Sequence, residues 1–309
     1  MRFNKLDLNL LVALDAMLTE RSISRAAERL HISQSATSNA LARLREYFND
    51  DLLVQVGRKM ELTPRAEALR DPVRDVLVRV DTTITAQPEF IASRSDREFR
   101  ILVSDFTMAV LLPHALALAQ RQGSTVRFQF LQQVEQPQRA LERGEADLLV
   151  MPRDYCSPNH PIETVFRETF TCVVWQESRI AREGLTFERY AAAGHVVMQP
   201  PGTNQGSFEV WFMQRHGLSR RVEVSAYNFA SATHLVVGTE RVATVHTRLA
   251  RQAQRALPIQ LMPPPMQMPE MEQAMQWHKY RTTDPGIVWL RQLLKDAALE
   301  MDRAGGAVS

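Results

Sequence analysis

Apolar residues in the first third of the chain recur at helical spacing. Leu6, Leu8, Leu11, Leu14 and Leu18 give a first helix one apolar face. Ser22 or Ser24 can cap a second helix running to Leu30, because a short hydroxyl side chain accepts a hydrogen bond from the orphan amides of a first turn. Ser33 can do the same for a third helix starting at Gln34. The spacing has that helix bury Ala36, Leu41 and Leu44 and turn Gln34, Ser35, Thr37, Ser38, Asn39 and Arg43 the other way. Leu53-Val54, a turn at Gly57 and the pair Arg58-Lys59 read as a short hairpin or wing. Thr63 can then cap a helix whose first position is Pro64, where a missing amide costs nothing. From there Leu69, Val73, Leu77, Val80 and Ile84 form one apolar stripe. That stripe suits a helix of a second subunit or the chain's own core, and Pro72 argues for a kink or restart.

Around Gln87-Pro88 the pattern changes to strands alternating with helices. Strands are expected at Phe99 to Val103, Val126 to Leu131, Asp147 to Met151, Phe170 to Trp175, His195 to Met198, Val222 to Val224, Val242 to Val245, Ile259 to Met262 and Glu272 to His278. Helices are expected at Phe106 to Arg121, Pro137 to Arg143, Phe187 to Ala193, Ser207 to His216, Ala230 to Val237 and Pro285 to Met301, with a frayed tail. This βαβ order makes the larger part an α/β fold. Ligands in such sheets sit beyond the carboxyl ends of strands, so the loops after Val103, Met151, Met198 and Val245 are where a site belongs.

Composition narrows the function classes. The 309 residues are 45% hydrophobic and 23% charged, with room for two or three folded units and too few polar positions for a disordered chain. The longest nearly uncharged apolar stretch, Met108 to Ala119, is far short of the roughly 20 residues that span a bilayer. Asp7 and Asp15 interrupt any secretory signal, so the expected location is the cytoplasm, with no membrane partner. Cys156 and Cys172 fit neither a zinc nor a redox spacing and read as reduced packing residues; no metal or cofactor is expected. Catalysis is not expected either: no Gly-rich phosphate loop, His-Glu-x-x-His or Gly-x-Ser-x-Gly is present. The net charge of +2 announces no polyanion partner, yet Arg29 to Arg45 holds three arginines, His31 and no acid. A second acid-free run, Leu52 to Met60, carries Arg58 and Lys59. Either is a phosphate-binding surface or ordinary solvated surface.

Ala26-Ala27, Leu30, Ile32, Ser33-Gln34, Ser38, Leu41 and Leu44 form a helix-turn-helix pattern, in which small residues permit close helix crossing. A projecting helix that begins with Ser and Gln suits a major groove, where amides and hydroxyls meet base edges and arginines hold phosphates. A three-helix core without a nucleic-acid role would show the same apolar positions. Asp7-Leu8-Asn9-Leu10-Leu11, Ser24-x-Ala26-Ala27-x-x-Leu30, Ser33-Gln34-x-Ala36-x-Ser38, Phe48 and Leu62-Thr63-Pro64 resemble the DNA-binding domain of LysR-type transcriptional regulators. Tyr47-Phe48-Asn49-Asp50, Trp277-His278-x-x-Tyr280 and Ile287-x-Trp289-Leu290-Arg291 further resemble the branch that contains nodulation regulators and regulators of aromatic or chloroaromatic degradation. Ser35 departs from the family's usual proline at the start of the recognition helix, and Arg45 from its usual acid, which adds a possible phosphate contact.

The resemblance implies a winged helix-turn-helix over residues 1–65, a linker and dimerisation helix with a hinge over 66–94, and a two-lobed, periplasmic-binding-protein-like effector domain over 95–309. Lobe I would take 95–167 with 267–301, and lobe II 168–266. Carried across by position, Gln34, Ser35, Ser38 and Asn39 would read base edges of operator DNA, and Ser33, Thr37, Arg43, Arg58 and Lys59 would touch its backbone. The implied partners are double-stranded operator DNA, a small phenolic or chlorinated aromatic effector, further copies of the chain in a dimer of dimers, and RNA polymerase. Effector candidates are Ser104, Phe106 and Thr107 after the first strand, Met151 and Pro152 after the third, Gly202, Thr203, Asn204 and Gln205 before a helix, and His246 at a strand end. Each has a plain alternative: Phe106 as core, the glycine segment as a turn, His246 as a satisfied structural histidine. No arginine is placed to clamp a carboxylate, which favours a neutral or phenolic ligand.

Overall fold

The computed structural model describes residues 6–57, 59–83, 89–132, 136–199, 212–213, 217 and 220–306. The chain forms two compact units, Met1–Ala86 with Glu142–Glu145, and Gln87–Leu141 with Ala146–Ser309.

The first unit begins with α1 (Leu8–Glu20), α2 (Ile23–Leu30) and α3 (Gln34–Phe48). Each starts on a side-chain cap: Asp7 accepts from the Leu10 amide at 2.8 Å, Ser22 from Arg25 at 3.4 Å and Ser33 from Ala36 at 3.2 Å. Each ends on a non-glycine residue in the left-handed region, Arg21, His31 and Asn49. The core comprises Leu10, Leu14, Met17 and Leu18 of α1, Ala26 of α2, and Leu41 and Leu44 of α3. The face of α1 that packs is therefore not the one marked by leucines alone, since Leu8 is exposed while Ala13, Ala16 and Met17 are buried. Small residues let α1 sit close to its neighbours, and a pattern that counts only leucines misses them.

An antiparallel hairpin, β1 (Leu53–Val56) with β2 (Lys59–Leu62), follows, its turn carried by Gly57 at φ +63°. Its base is pinned by Asp50, which accepts from the Thr63 hydroxyl at 2.6 Å and the Leu52 amide at 2.7 Å; these bonds hold its carboxyl below the usual range. Thr63 in turn accepts from the Ala66 amide, capping α4 (Pro64–Thr83). Pro72 lies inside this continuous helix, so the expected restart does not occur. Leu69, Val73 and Leu77 pack on the unit's own core, while Val76 is 44% exposed.

The second unit contains two five-stranded sheets. The first is built from β3 (Glu98–Val103), β4 (Arg127–Gln132), β5 (Leu148–Pro152), β6 (Ile162–Glu168) and β12 (Met271–Trp277), in the order β4-β3-β5-β12-β6. The second, from β7 (Phe170–Trp175), β8 (Gly194–Met198), β9 (Arg221–Ala226), β10 (Val242–His246) and β11 (Ile259–Met262), runs β11-β7-β10-β8-β9. Strands β3, β4 and β5 pair in parallel, as do β8, β9 and β10, whereas β6, β7, β11 and β12 pair antiparallel. Both sheets are thus mixed. The chain crosses between them at Thr169 and again between Met262 and Met271.

Helices cover both faces of each sheet. On the first, α5 (Asp105–Val110), α6 (Leu112–Arg121) and α12 (Pro285–Gly306) bury Phe106, Leu112, Ile287, Leu290 and Leu294 against Phe99, Ile101, Leu148 and Val150. On its other face α7 (Pro137–Glu142) brings Ala140 and Leu141 to Leu102, Leu149 and Met151. The single helix expected from Phe106 to Arg121 is two, because Pro113 has no amide to carry an α-helical hydrogen bond back across the break at Leu111. On the second sheet, α8 (Arg179–Glu183) and α9 (Phe187–Ala192) lie on one face. The other face packs α10 (Phe229–His234) and α11 (Thr247–Gln254). The helix expected over 207–216 falls almost wholly outside the described residues. Among these residues no helix is long and apolar enough to cross a membrane.

Candidate nucleic-acid interface and effector cleft

Helix α3 has one sealed side and one open side. Leu41 and Leu44 are buried, and the third inward residue is Thr37, with 0% exposure, not Ala36, which is exposed. Positions 37, 41 and 44 share a face at i, i+4 and i+7, and position 36 is turned about 100° away. The Thr37 hydroxyl donates to the Ser33 carbonyl at 3.2 Å, so the expected backbone contact by Thr37 is corrected: this hydroxyl is spent inside the helix. Ser33, Gln34, Ser35, Ser38, Asn39 and Arg43 are all exposed, and the Ser33 and Ser35 hydroxyls are 2.9 Å apart.

The basic residues of this unit are less free than their spacing implied. Arg29 reaches Glu20 at 3.4 Å and Asp15 at 3.8 Å, where Asp15 also pairs with Arg74. Burial raises the Asp15 carboxyl despite these cations. Arg43 lies 3.3 Å from Asp7 and stays exposed. Arg45 donates to the carbonyls of Asp51 at 2.8 Å and Leu53 at 2.7 Å, bracing the end of α3 against the hairpin; it is a strut where a phosphate contact was expected. Lys59, at the start of β2, is exposed and meets no carboxylate among the described residues. Arg58 lies outside them.

In the second unit the loops at the ends of β3 and β10 meet. Ser104 caps α5, accepting from the Thr107 amide at 3.2 Å, and its hydroxyl is 3.1 Å from that of Thr107. The Phe106 ring stacks on His246, centroids 3.8 Å apart and planes within 11°. Phe170 and Phe229 close the box around His246 at 5.1 Å and 4.5 Å. Phe106 is 1% exposed, Thr107 0% and His246 3%, so the ring expected to stack on a ligand is stacked on the protein itself. Burial drives the His246 pKa down to about 3, which keeps the imidazole neutral, and its Nδ1 has no hydrogen-bond partner among the described residues.

Two candidates separate here. Pro152 lies opposite Gln273 in the β5–β12 ladder, but Met151 points to the other face of the sheet, into the core with Leu102 and Leu149, as strand alternation requires. Met151 is therefore a packing residue and not part of the His246 box. Gly202, Thr203, Asn204 and Gln205 lie outside the described residues. Gln273, unremarked in the sequence, is 1% exposed, donates to the Thr107 hydroxyl at 2.9 Å and leaves Oε1 without a partner among the described residues. Asp105, which stood unassigned between Ser104 and Phe106, accepts from the Ala230 amide at 2.9 Å across the cleft. Its only sequence signal was its place in a polar run after a strand.

Comparison with known proteins agrees with both halves. Residues 8–67 match the bacterial regulatory helix-turn-helix protein model of the lysR family, and residues 92–299 match the LysR substrate binding domain. Nodulation protein D of Bradyrhizobium sp. (strain ANU 289) is 40% identical over 301 residues, 97% of this chain and 89% of that protein. A probable transcriptional regulator from Pseudomonas aeruginosa superposes with a TM-score of 0.66 at 27% identity, covering 95% of this chain and 98% of its own. Full-length OxyR of Pseudomonas aeruginosa, at 16% identity, shares the fold, with a TM-score of 0.74 over 95% of this chain and 94% of that one. With both family models matched in order and a relative of this identity along nearly its whole length, the chain belongs to the LysR family of DNA-binding transcriptional regulators and is not an enzyme.

Proposed function

We propose that this regulator reads its operator with the open side of α3, and that a small aromatic effector in the inter-lobe cleft governs that reading. Gln34, Ser35, Ser38 and Asn39 reach base edges; Ser33, Arg43, Arg58 and Lys59 hold phosphates. The observation that carries this is the exposure of an uncharged, hydrogen-bonding face on a helix clamped from behind by Leu41, Leu44 and the Arg45 brace. Such a face suits base recognition, since it offers donors and acceptors without a charge that would favour phosphate over bases.

The division of labour follows the sequence expectation: residues 1–65 bind DNA and 66–94 link and dimerise. Residues 95–309 bind effector, with lobe I at 95–167 and 267–301 and lobe II at 168–266. The exposed Val76 on α4 supports a partner helix, hence a dimer, and by resemblance a dimer of dimers that contacts RNA polymerase. The aromatic box of Phe106, Phe170, Phe229 and His246 supports a flat phenolic or chlorinated effector, whose binding reshapes the cleft and activates genes for aromatic breakdown.

The test uses duplexes selected from a random pool by the full-length protein. Gln34→Ala should lower the preference for selected over random DNA by about 1–3 kcal/mol. Lys59→Ala should weaken both alike and reduce the salt dependence of binding. Equal losses on both DNAs for both variants overturn the assignment. A thermal-shift screen of the same protein against phenols, hydroquinones, salicylate-like acids and flavonoids tests the effector class.

A further inference from the structure

The elements of the two sheets are tied to each other by three kinds of side-chain contact. Arg248 on α11 donates to Glu168, at the end of β6 in the first sheet, at 2.9 Å and to Asp302 on α12 at 2.6 Å, an ion-pair strut between cation and carboxylates. Phe106 on α5 stacks on His246 at the end of β10, with Phe229 edge-on. Asp105 Oδ2 accepts from the Ala230 amide at the start of α10. This last tie differs in kind from the ion-pair strut. The partners of Asp105 are backbone amides, with no cation among the described residues, and partial burial raises its carboxyl. A carboxylate with no counterion among the described residues therefore stands one residue away from the ring that an aromatic ligand has to reach. The nearby buried groups left without partners among the described residues, His246 Nδ1 and Gln273 Oε1, are neutral.

We propose that Asp105 is the specificity-determining residue of the effector cleft: it latches the lobes while the cleft is empty and selects neutral hydroxylated aromatics over aromatic carboxylates. This rests on the aromatic-effector reading given above. A ligand that parts Phe106 from His246 comes to rest beside Asp105. A hydroxyl there can donate to the carboxylate in place of the Ala230 amide, and others can meet Gln273 Oε1 and His246 Nδ1. A ligand carboxylate meets a like charge instead, and two such charges about 6 Å apart in a half-buried site change affinity by well over tenfold.

The test takes full-length wild type, Asp105→Asn and Asp105→Ala, each with its thermal midpoint as a folding check. It measures amide exchange of the Ala230 segment and calorimetric titration with an isosteric pair of probes, salicylamide and salicylate. The wild type should bind salicylamide at least tenfold more tightly than salicylate, Asp105→Asn should narrow that ratio to about threefold, and Asp105→Ala should speed Ala230 exchange at least fivefold. An unchanged ratio in Asp105→Asn, with both probes bound, overturns the selectivity and leaves the aromatic reading standing. Unchanged exchange in Asp105→Ala overturns the latch. Faster exchange with neither probe bound by any of the three proteins keeps the latch but overturns the selectivity together with the aromatic reading.

Discussion

Replacing Thr37 by valine separates the two sides of α3. The hydroxyl of Thr37 is fully buried and donates to the Ser33 carbonyl, which already accepts from the Thr37 amide at 3.1 Å. Valine keeps the shape and the branched β-carbon, so no cavity opens and no carbonyl is orphaned. The loss is one hydroxyl hydrogen bond, about 0.5–1.5 kcal/mol of stability, partly offset by a more apolar side chain. Nothing is lost at the DNA surface, because Thr37 presents none. Ser38→Ala, one residue along and exposed, should do the reverse: a change in stability within about 0.5 kcal/mol and a loss of about 1–3 kcal/mol, roughly five- to 150-fold, on selected duplex. Urea unfolding and fluorescence anisotropy at one fixed salt concentration measure both. If Thr37→Val loses operator affinity as Ser38→Ala does while its unfolding midpoint stays put, the hydroxyl reaches the DNA and the assignment of faces is wrong.

Two further outcomes follow from buried groups. His246 is held neutral in the folded protein with a pKa of about 3, against 6.5 for a free imidazole, so the unfolded chain takes up more protons below pH 6.5 and stability falls as pH falls through that window. Between pH 6.5 and 5 this amounts to about 2 kcal/mol, which His246→Phe should remove; Asp105 and Glu168, raised by burial, act in the opposite direction, so the difference between wild type and variant carries the test. Parallel stability curves for the two proteins from pH 7 to 5 would contradict the burial argument. Burial also pushes the Cys156 thiol up to about 11, so under one part in a thousand is thiolate at pH 7.5, and iodoacetamide should label the native protein on the order of a hundredfold slower than a free thiol. Labelling at the free-thiol rate contradicts it.

Local chemistry was legible along the chain. The caps at Ser22 and Ser33, the Thr63-Pro64 helix start, the turn at Gly57 and most strands of the α/β part depend on neighbours within a few residues, and sequence spacing carries that information. β6 has no clear local signature because Glu163, Arg167 and Glu168 interrupt its apolar run; this edge strand carries them because Glu163 pairs with Arg291 and Lys295, exposed Arg167 with Glu272, and buried Glu168 with Arg248. The acid-free stretch from Arg29 to Arg45 was equally misleading. Acids of α1 and its cap, Asp7, Asp15 and Glu20, fold back onto two of its arginines, and no charge count along the chain contains that distance.

By itself the sequence determined which segments could be helix or strand, which residues could face a core, and, through its motifs, the family. The tertiary structure alone decided that β12, from the far end of the chain, inserts antiparallel between β5 and β6, because strand pairing depends on long-range hydrogen bonds that leave no local periodicity. It also decided the cleft. Phe106, Phe170, Phe229, His246, Gln273 and Asp105 are scattered over 169 positions and become neighbours only where elements of the two mixed sheets meet. Burial then fixes what those residues are chemically: a neutral histidine and, among the described residues, an amide oxygen without a donor and a carboxylate without a counterion.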